Sequence, residues 1–280
     1  NINEHKYHVV NLQKKYGEAG LPKIKIINLI ENPPEKNHWL SPDVHKELKT
    51  TLQKGNQALF FLNRRGFAPY VFCNTCGNKI TCPNCDVGLV FHKKQDYLLC
   101  HHCGFKSAMV KKKRGCDKEC NFYLYGPGVE RITEEIKKKY TNYKVEILTS
   151  DEMSKREKGE KIIKEFENEQ INIIVGTQIL AKGHHFPKLT LVVVVDSDIG
   201  FFGGDIRAAE KTFQLLMQVA GRSGRSNIPG KVLIQSTMSD NAIFKNLINF
   251  DLKEFFLEEL SIRKESNLPP FKKLCSIMVT

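Results

Sequence analysis

Eight of the chain's nine cysteines fall between Cys73 and Cys120, in four tight pairs. Cys73/Cys76, Cys82/Cys85 and Cys100/Cys103 are each separated by two residues, and Cys116/Cys120 by three. Two thiols so spaced can turn toward one point, and two such pairs complete a tetrahedral zinc shell. The N-terminus, Asn1-Ile2-Asn3-Glu4-His5, carries no secretion signal. Paired thiols therefore read as metal ligands in a reducing cytoplasm rather than as disulfides. The missing initiator methionine points to a chain cut from something longer. Eight sulfurs predict two structural zinc ions and leave no open position for catalytic zinc.

Four pairs combine into two sites in three ways. Cys82-x2-Cys85 and Cys100-x2-Cys103, fourteen residues apart, have the spacing of a zinc ribbon. Between them, Leu89-Val90-Phe91-His92 and Tyr97-Leu98-Leu99 read as two strands around a polar turn, a hairpin that would bring both inner pairs to one metal. By elimination Cys73, Cys76, Cys116 and Cys120 form an outer site. Sequential and crossed pairings stay open beside this nested one. His101 and His102 lie where a metal knuckle usually spends its backbone and read as bystanders, and Cys275 as a core residue.

Outside the cysteine segment, apolar runs alternate with amphipathic stretches. Strands are expected at Lys23 to Leu29, Ala58 to Leu62, Lys144 to Leu148, Ile171 to Val175, Leu189 to Val195 and Lys231 to Gln235. Helices are expected at Val44 to Leu52, Val129 to Tyr140, Lys155 to Glu167, Ala208 to Val219, Asn241 to Ile248 and Leu252 to Arg263. Nearly wholly apolar strands alternating with helices predict an α/β fold, a parallel sheet covered on both faces. The cysteines interrupt it as an insertion. The predicted divisions are an N-terminal segment 1–22, a first lobe part 23–72, the zinc insertion 73–120, the remaining lobe 121–268, and the start of a further domain at 269–280.

A formal net charge of +12 favours an anionic partner such as nucleic acid. Within the insertion the argument is weaker. Its nine Lys/Arg exceed its four Asp/Glu by five, and two zinc ions with eight thiolates bring that to about +1. Lys111-Lys112-Lys113-Arg114 thus serves either to neutralise thiolates or to face DNA or a partner. No apolar run approaches the roughly 18 residues of a membrane span, so no membrane association is expected.

Two downstream segments carry sharper chemistry. Gly176-Thr177-Gln178-Ile179-Leu180-Ala181-Lys182-Gly183 follows a buried strand, and a Gly-Thr turn there exposes backbone N–H groups and a hydroxyl suited to phosphate. Gln218-Val219-Ala220-Gly221-Arg222-Ser223-Gly224-Arg225 ends a helix. Its two arginines can project toward a polyanion, as in an arginine finger.

GTQILAKGHHFPKLTLVVVVDSD and QVAGRSGR resemble motifs V and VI of superfamily 2 helicases, and ALFFLNRRGF resembles motif IV. Interrupted by eight cysteines and resumed by YGPGVERITEEI, they resemble the PriA-type primosomal protein N′ family over nearly the whole chain. The resemblance implies a RecA-like helicase C-terminal lobe with an inserted two-zinc, ribbon-like domain. It implies an ATP-dependent 3′-to-5′ DNA helicase, acting with Mg2+ in restart of stalled replication forks and primosome assembly in the bacterial cytoplasm. The implied partners are branched and single-stranded DNA, primosome proteins and single-strand DNA-binding protein, with the motor a monomer.

Carried over by motif, Arg222 and Arg225 would face the ATP phosphates, with Gln218 in the same motif and Gly183 near the nucleotide. Thr177, Gln178 and Lys182 would lie near the tracked strand, and the eight cysteines would be zinc ligands in the nested pairing. Two positions depart: His185 stands where the family usually has Asp, and Cys116-x3-Cys120 is one residue longer. The chain holds neither G-x-x-x-x-G-K-[ST] nor a DEAH-type box. It therefore reads as a second motor lobe, inactive alone. The competing reading is a non-enzymatic zinc module that binds DNA or protein.

Overall fold

A computed structural model describes residues 20–62, 70–73, 80–84, 88–92, 97–100, 103–109, 122–125, 128–149, 156–177, 186–198, 206–223 and 228–275. Its main sheet has six strands: β1 (Lys23–Asn28), β2 (Gln57–Leu62), β8 (Val145–Leu148), β9 (Ile173–Gly176), β10 (Leu189–Asp196) and β11 (Lys231–Ser236). Their order is β1-β11-β10-β2-β9-β8, and every pairing is parallel. All six residues of central β2 are buried, whereas edge strand β1 alternates between exposed and partly covered residues up to Ile26 and buries Ile27 alone. Central parallel strands lose water on both faces, which is why QALFFL and LTLVVVVD read as continuous apolar runs.

Alternation along the strands divides the core in two. Ala58, Phe60, Leu62, Leu191 and Val193 meet α1 (Pro42–Gln53) and α2 (Val129–Lys139) on one face. Leu59, Phe61, Val192 and Val194 meet α3 (Arg156–Glu167), α4 (Ala208–Ala220), α5 (Ala242–Ile248) and the start of α6 (Leu252–Glu265) on the other. Phe60, Phe61, Phe213 and Phe244 are among the largest fully buried side chains. Each stabilises the fold by about 1.5–3 kcal/mol relative to exposure.

Local chemistry sets the ends of the elements. Ser41 caps α1 by accepting from Val44 N–H (3.4 Å), with Pro42 in the first turn. Asp251 caps α6 by accepting from Glu254 N–H at 2.9 Å. Gly55 turns α1 into β2 at φ +70°, a left-handed conformation that favours glycine.

The insertion leaves the lobe after β2 and rejoins it before α2. It forms a separate antiparallel sheet, β6-β5-β4-β3-β7, from β3 (Tyr70–Cys73), β4 (Val90–His92), β5 (Tyr97–Leu99), β6 (Lys106–Ser107) and β7 (Phe122–Tyr125). Among the described residues its core holds Val71, Ile80, Leu89, Phe91 and Leu98, with Cys82 and Cys100. Cys275 does not join a core. It is exposed in the stretch after α6, where Lys272, Lys273 and Leu274 are exposed as well.

Candidate functional site

The expected hairpin is present as β4 and β5, with Val90 opposite Leu99 and His92 opposite Tyr97. Cys82 precedes it and Cys100 and Cys103 follow it. The thiol sulfurs of these three cysteines lie within 4.8 Å of one another, with Cys82 Sγ and Cys103 Sγ 3.4 Å apart. Zinc–sulfur bonds of about 2.3 Å at tetrahedral angles place ligand sulfurs about 3.8 Å apart, so the set fits zinc with small adjustment. The backbone is shaped for it. Asn84 N–H donates to Cys82 Sγ at 3.4 Å, Gly104 N–H to Cys100 O at 2.9 Å, and Cys100 N–H to Phe105 O at 2.8 Å. Gly104 closes this knuckle at φ +77°, where a Cβ would meet no neighbour but the backbone favours glycine.

Cys73, fully buried, ends β3 opposite Phe122 of β7. Cys76, Cys85, Cys116 and Cys120 lie outside the described residues, as do Gln178, Lys182, Gly183, His185 and Arg225.

Thr177 follows β9 directly, and its N–H donates to Leu148 O on β8 at 3.4 Å. Gln218 is exposed on α4, while Gly221 ends that helix. Arg222 comes next and is largely enclosed, at 8% exposure. Its backbone N–H donates to Val219 O at 3.0 Å, one more turn closed beyond the helix.

Two polar clusters were not singled out from the sequence. At the carboxyl ends of β10 and β11, Asp198 is buried and accepts from Ser236 Oγ (2.5 Å), Thr237 N (2.7 Å), Thr237 Oγ1 (2.6 Å) and Ser197 Oγ (3.2 Å). On the α1–α2 face, buried Glu135 accepts from the backbone of Trp39 (2.7 Å) and Leu40 (3.2 Å), and lies 3.2 Å from His45 Nε2. Tyr140 closes this group by donating its hydroxyl to His45 O at 3.0 Å. Burial, and then the Glu135 charge, pushes the Tyr140 phenol up to about 12.

Two family models fall on the chain: the PriA DNA helicase Cys-rich region (CRR) domain on residues 82–107, and the helicase conserved C-terminal domain on residues 107–227. Relatives called replication restart protein PriA match almost end to end. The Rickettsia prowazekii protein is 41% identical over the whole chain, which spans 43% of that relative. The Haemophilus influenzae protein is 36% identical over 97% of the chain and 37% of its own length. The Bacillus subtilis protein is 32% identical over 98% of the chain and 34% of its own length. The chain thus spans less than half of these curated relatives. Its covered parallel sheet, its cysteine ribbon and these matches agree: the chain belongs to the PriA family, in which it forms a RecA-like helicase C-terminal lobe with a zinc-ribbon insertion.

Proposed function

We propose that this chain is the second motor lobe of an ATP-dependent 3′-to-5′ DNA helicase that acts in restart of stalled replication forks and in primosome assembly. The observation that carries the reading is the match to restart proteins along the whole chain, together with the helicase model over 107–227. Arg222 and Arg225 are the proposed phosphate-facing arginines, with Gln218 beside them and Gly183 near the nucleotide. Thr177, Gln178 and Lys182 are the proposed strand contacts. ATP and Mg2+ would be held mainly by a first lobe, so the isolated lobe is expected not to turn over ATP.

The proposed metal content is two zinc ions in nested sites. Cys85 completes the shell of Cys82, Cys100 and Cys103. Cys73, Cys76, Cys116 and Cys120 form the second, supported by the antiparallel register that sets Cys73 opposite Phe122, two residues after Cys120. Zinc here supplies a folding cross-link, since four thiolates leave no open position. The proposed divisions remain 1–22, 23–72, 73–120, 121–268 and 269–280. Primosome proteins and single-strand DNA-binding protein are the proposed partners, with a monomeric motor in the bacterial cytoplasm. Among the described residues no helix is long and apolar enough to cross a membrane.

The test is Arg225→Ala in a full-length protein carrying this lobe. DNA-stimulated ATPase should fall by at least 100-fold while DNA affinity changes little. Normal turnover in that variant, or ATP hydrolysis by the isolated chain in proportion to its concentration, would overturn the assignment.

A further inference from the structure

On the sheet face away from α4, two helices lie side by side. Glu135 of α2 reaches the backbone before α1, and His45 of α1 lies beside Glu135 and Tyr140. These contacts define the flank each helix turns to the other. Helical neighbours lie three or four residues apart. Lys49, four residues after His45, therefore lies toward the α2 side of α1, and Lys46, three before Lys49, stands next to it further out toward solvent. Arg131, Lys138 and Lys139 stand four before, three after and four after Glu135, on the α1 side of α2. All five cations are exposed.

Three acids of this face are engaged, while Glu130 and Glu134 of α2 are exposed near its cations. Asp43 and Glu47, on the opposite flank of α1, pair with Lys25 of β1 (2.7 Å) and Lys231 of β11 (2.8 Å). Glu135, in the seam itself, is occupied by two backbone N–H groups and His45. Among the described residues, Lys46, Lys49, Lys138 and Lys139 have no carboxylate partner. At the head of the seam stands Trp39, with the Arg131 guanidinium 5.9 Å from its ring centroid.

We propose that this α1–α2 seam is a second contact surface for the DNA phosphate backbone, separate from the motif V and VI residues. It rests on the reading of the chain as a DNA motor lobe. Mobile lysine ammoniums suit a run of phosphates, each contact releasing a counterion. Trp39, packed against the core beneath the seam, stands close enough to report on what binds there. On the opposite face, the lysines of α3 alternate with glutamates, and Lys161 pairs with Glu165 at 3.9 Å.

The test measures binding of this chain to fluorescein-labelled single-stranded and forked DNA. A seam variant (K46E/K49E/K138E/K139E) is compared with one of equal charge change on the other face (K158E/K164E/K245E/K253E). At about 100 mM salt the seam variant should lose at least 10-fold in affinity, with a salt slope lower by about 3. The other-face variant should stay within about 2-fold. Lysine-to-glutamine changes at the same seam positions, gentler on folding, should lose about 3-fold. Trp39 is the chain's one tryptophan, so its emission should change as DNA saturates wild type.

Equal losses in both charge variants, or unchanged Trp39 emission at saturation, overturn the proposal. So does a seam variant that keeps its DNA affinity but no longer binds a polyglutamate peptide, which would make the seam a site for acidic protein. The variants leave Arg222 and Arg225 intact, so a failed seam with an inactive Arg225→Ala enzyme removes the seam and keeps the motor reading.

Discussion

Thr237 donates both its backbone N–H (2.7 Å) and its hydroxyl (2.6 Å) to one carboxylate oxygen of Asp198. The other oxygen accepts from Ser236 and Ser197, so the four groups hydrogen-bonded to the carboxylate among the described residues are all donors. The ends of β10 and β11 are thereby tied, and with them the turn that starts α5. Asp198→Asn sets an amide N–H₂ against those donors. It should lower stability by about 1–3 kcal/mol, the cost of unmatched buried hydrogen-bonding groups. Urea unfolding checks this, and an unchanged midpoint would show that the tie contributes nothing.

Glu135 plays the corresponding part on the other face. Its carboxylate ends the backbone N–H groups of Trp39 and Leu40, which otherwise point into a covered site. Glu135→Ala leaves both donors without an acceptor and should cost about 2–4 kcal/mol, with Glu135→Gln recovering part through its single carbonyl. Trp39 emission in the folded protein should shift in both variants, more in the alanine one. An alanine variant as stable as wild type, with unshifted emission, would show that the carboxylate does not hold this segment.

Neither cluster was legible in the sequence, and the reason is physical. Glu135 meets Leu40 across 95 positions and Asp198 meets Ser236 across 38, so no local period links them. Periodicity did reveal what depends on neighbours in the chain. ALFFL and LVVVV read as buried strands because both their faces lose water, while the helix expected from Val44 begins two residues earlier, at Pro42 on the Ser41 cap. The ribbon was legible for a different reason: the spacing of Cys82, Cys100 and Cys103 is itself the constraint that closes the hairpin. Strand order was not, because any of several parallel neighbours would bury β2 equally well. Cys275 misled because a lone apolar thiol says nothing about what packs over it.

Tyr140 makes the lobe sensitive to alkali. Its phenol is raised from 10.0 to about 12 by burial and then by Glu135. A group raised on folding stabilises the fold fully below its unfolded value, and that contribution is lost as pH climbs through the folded one. Stability should therefore fall between about pH 10 and 12 beyond the loss shown by Tyr140→Phe, which has no phenol to ionise. Urea midpoints across that range, with absorbance at the phenolate band, provide the measurement. Parallel curves for wild type and Tyr140→Phe would exclude Tyr140 as the source.

Zinc removal should separate the insertion from the lobe. Among the described residues the insertion's core is a handful of side chains around Cys82 and Cys100, whereas the lobe buries two extended clusters of its own on either face of the main sheet. A segment whose cysteines sit in its core is expected to depend on its metal for folding. Chelation should therefore release about two zinc ions per chain and abolish the insertion's ordered signals, leaving the helical circular dichroism of the lobe nearly intact. Cys100→Ala should reduce zinc content to about one per chain, and Cys275→Ala, at an exposed position, should leave it unchanged. Metal analysis distinguishes the possibilities. One zinc in wild type would remove the outer site, and a lobe that unfolded with the metal would mean that the two cores are energetically one.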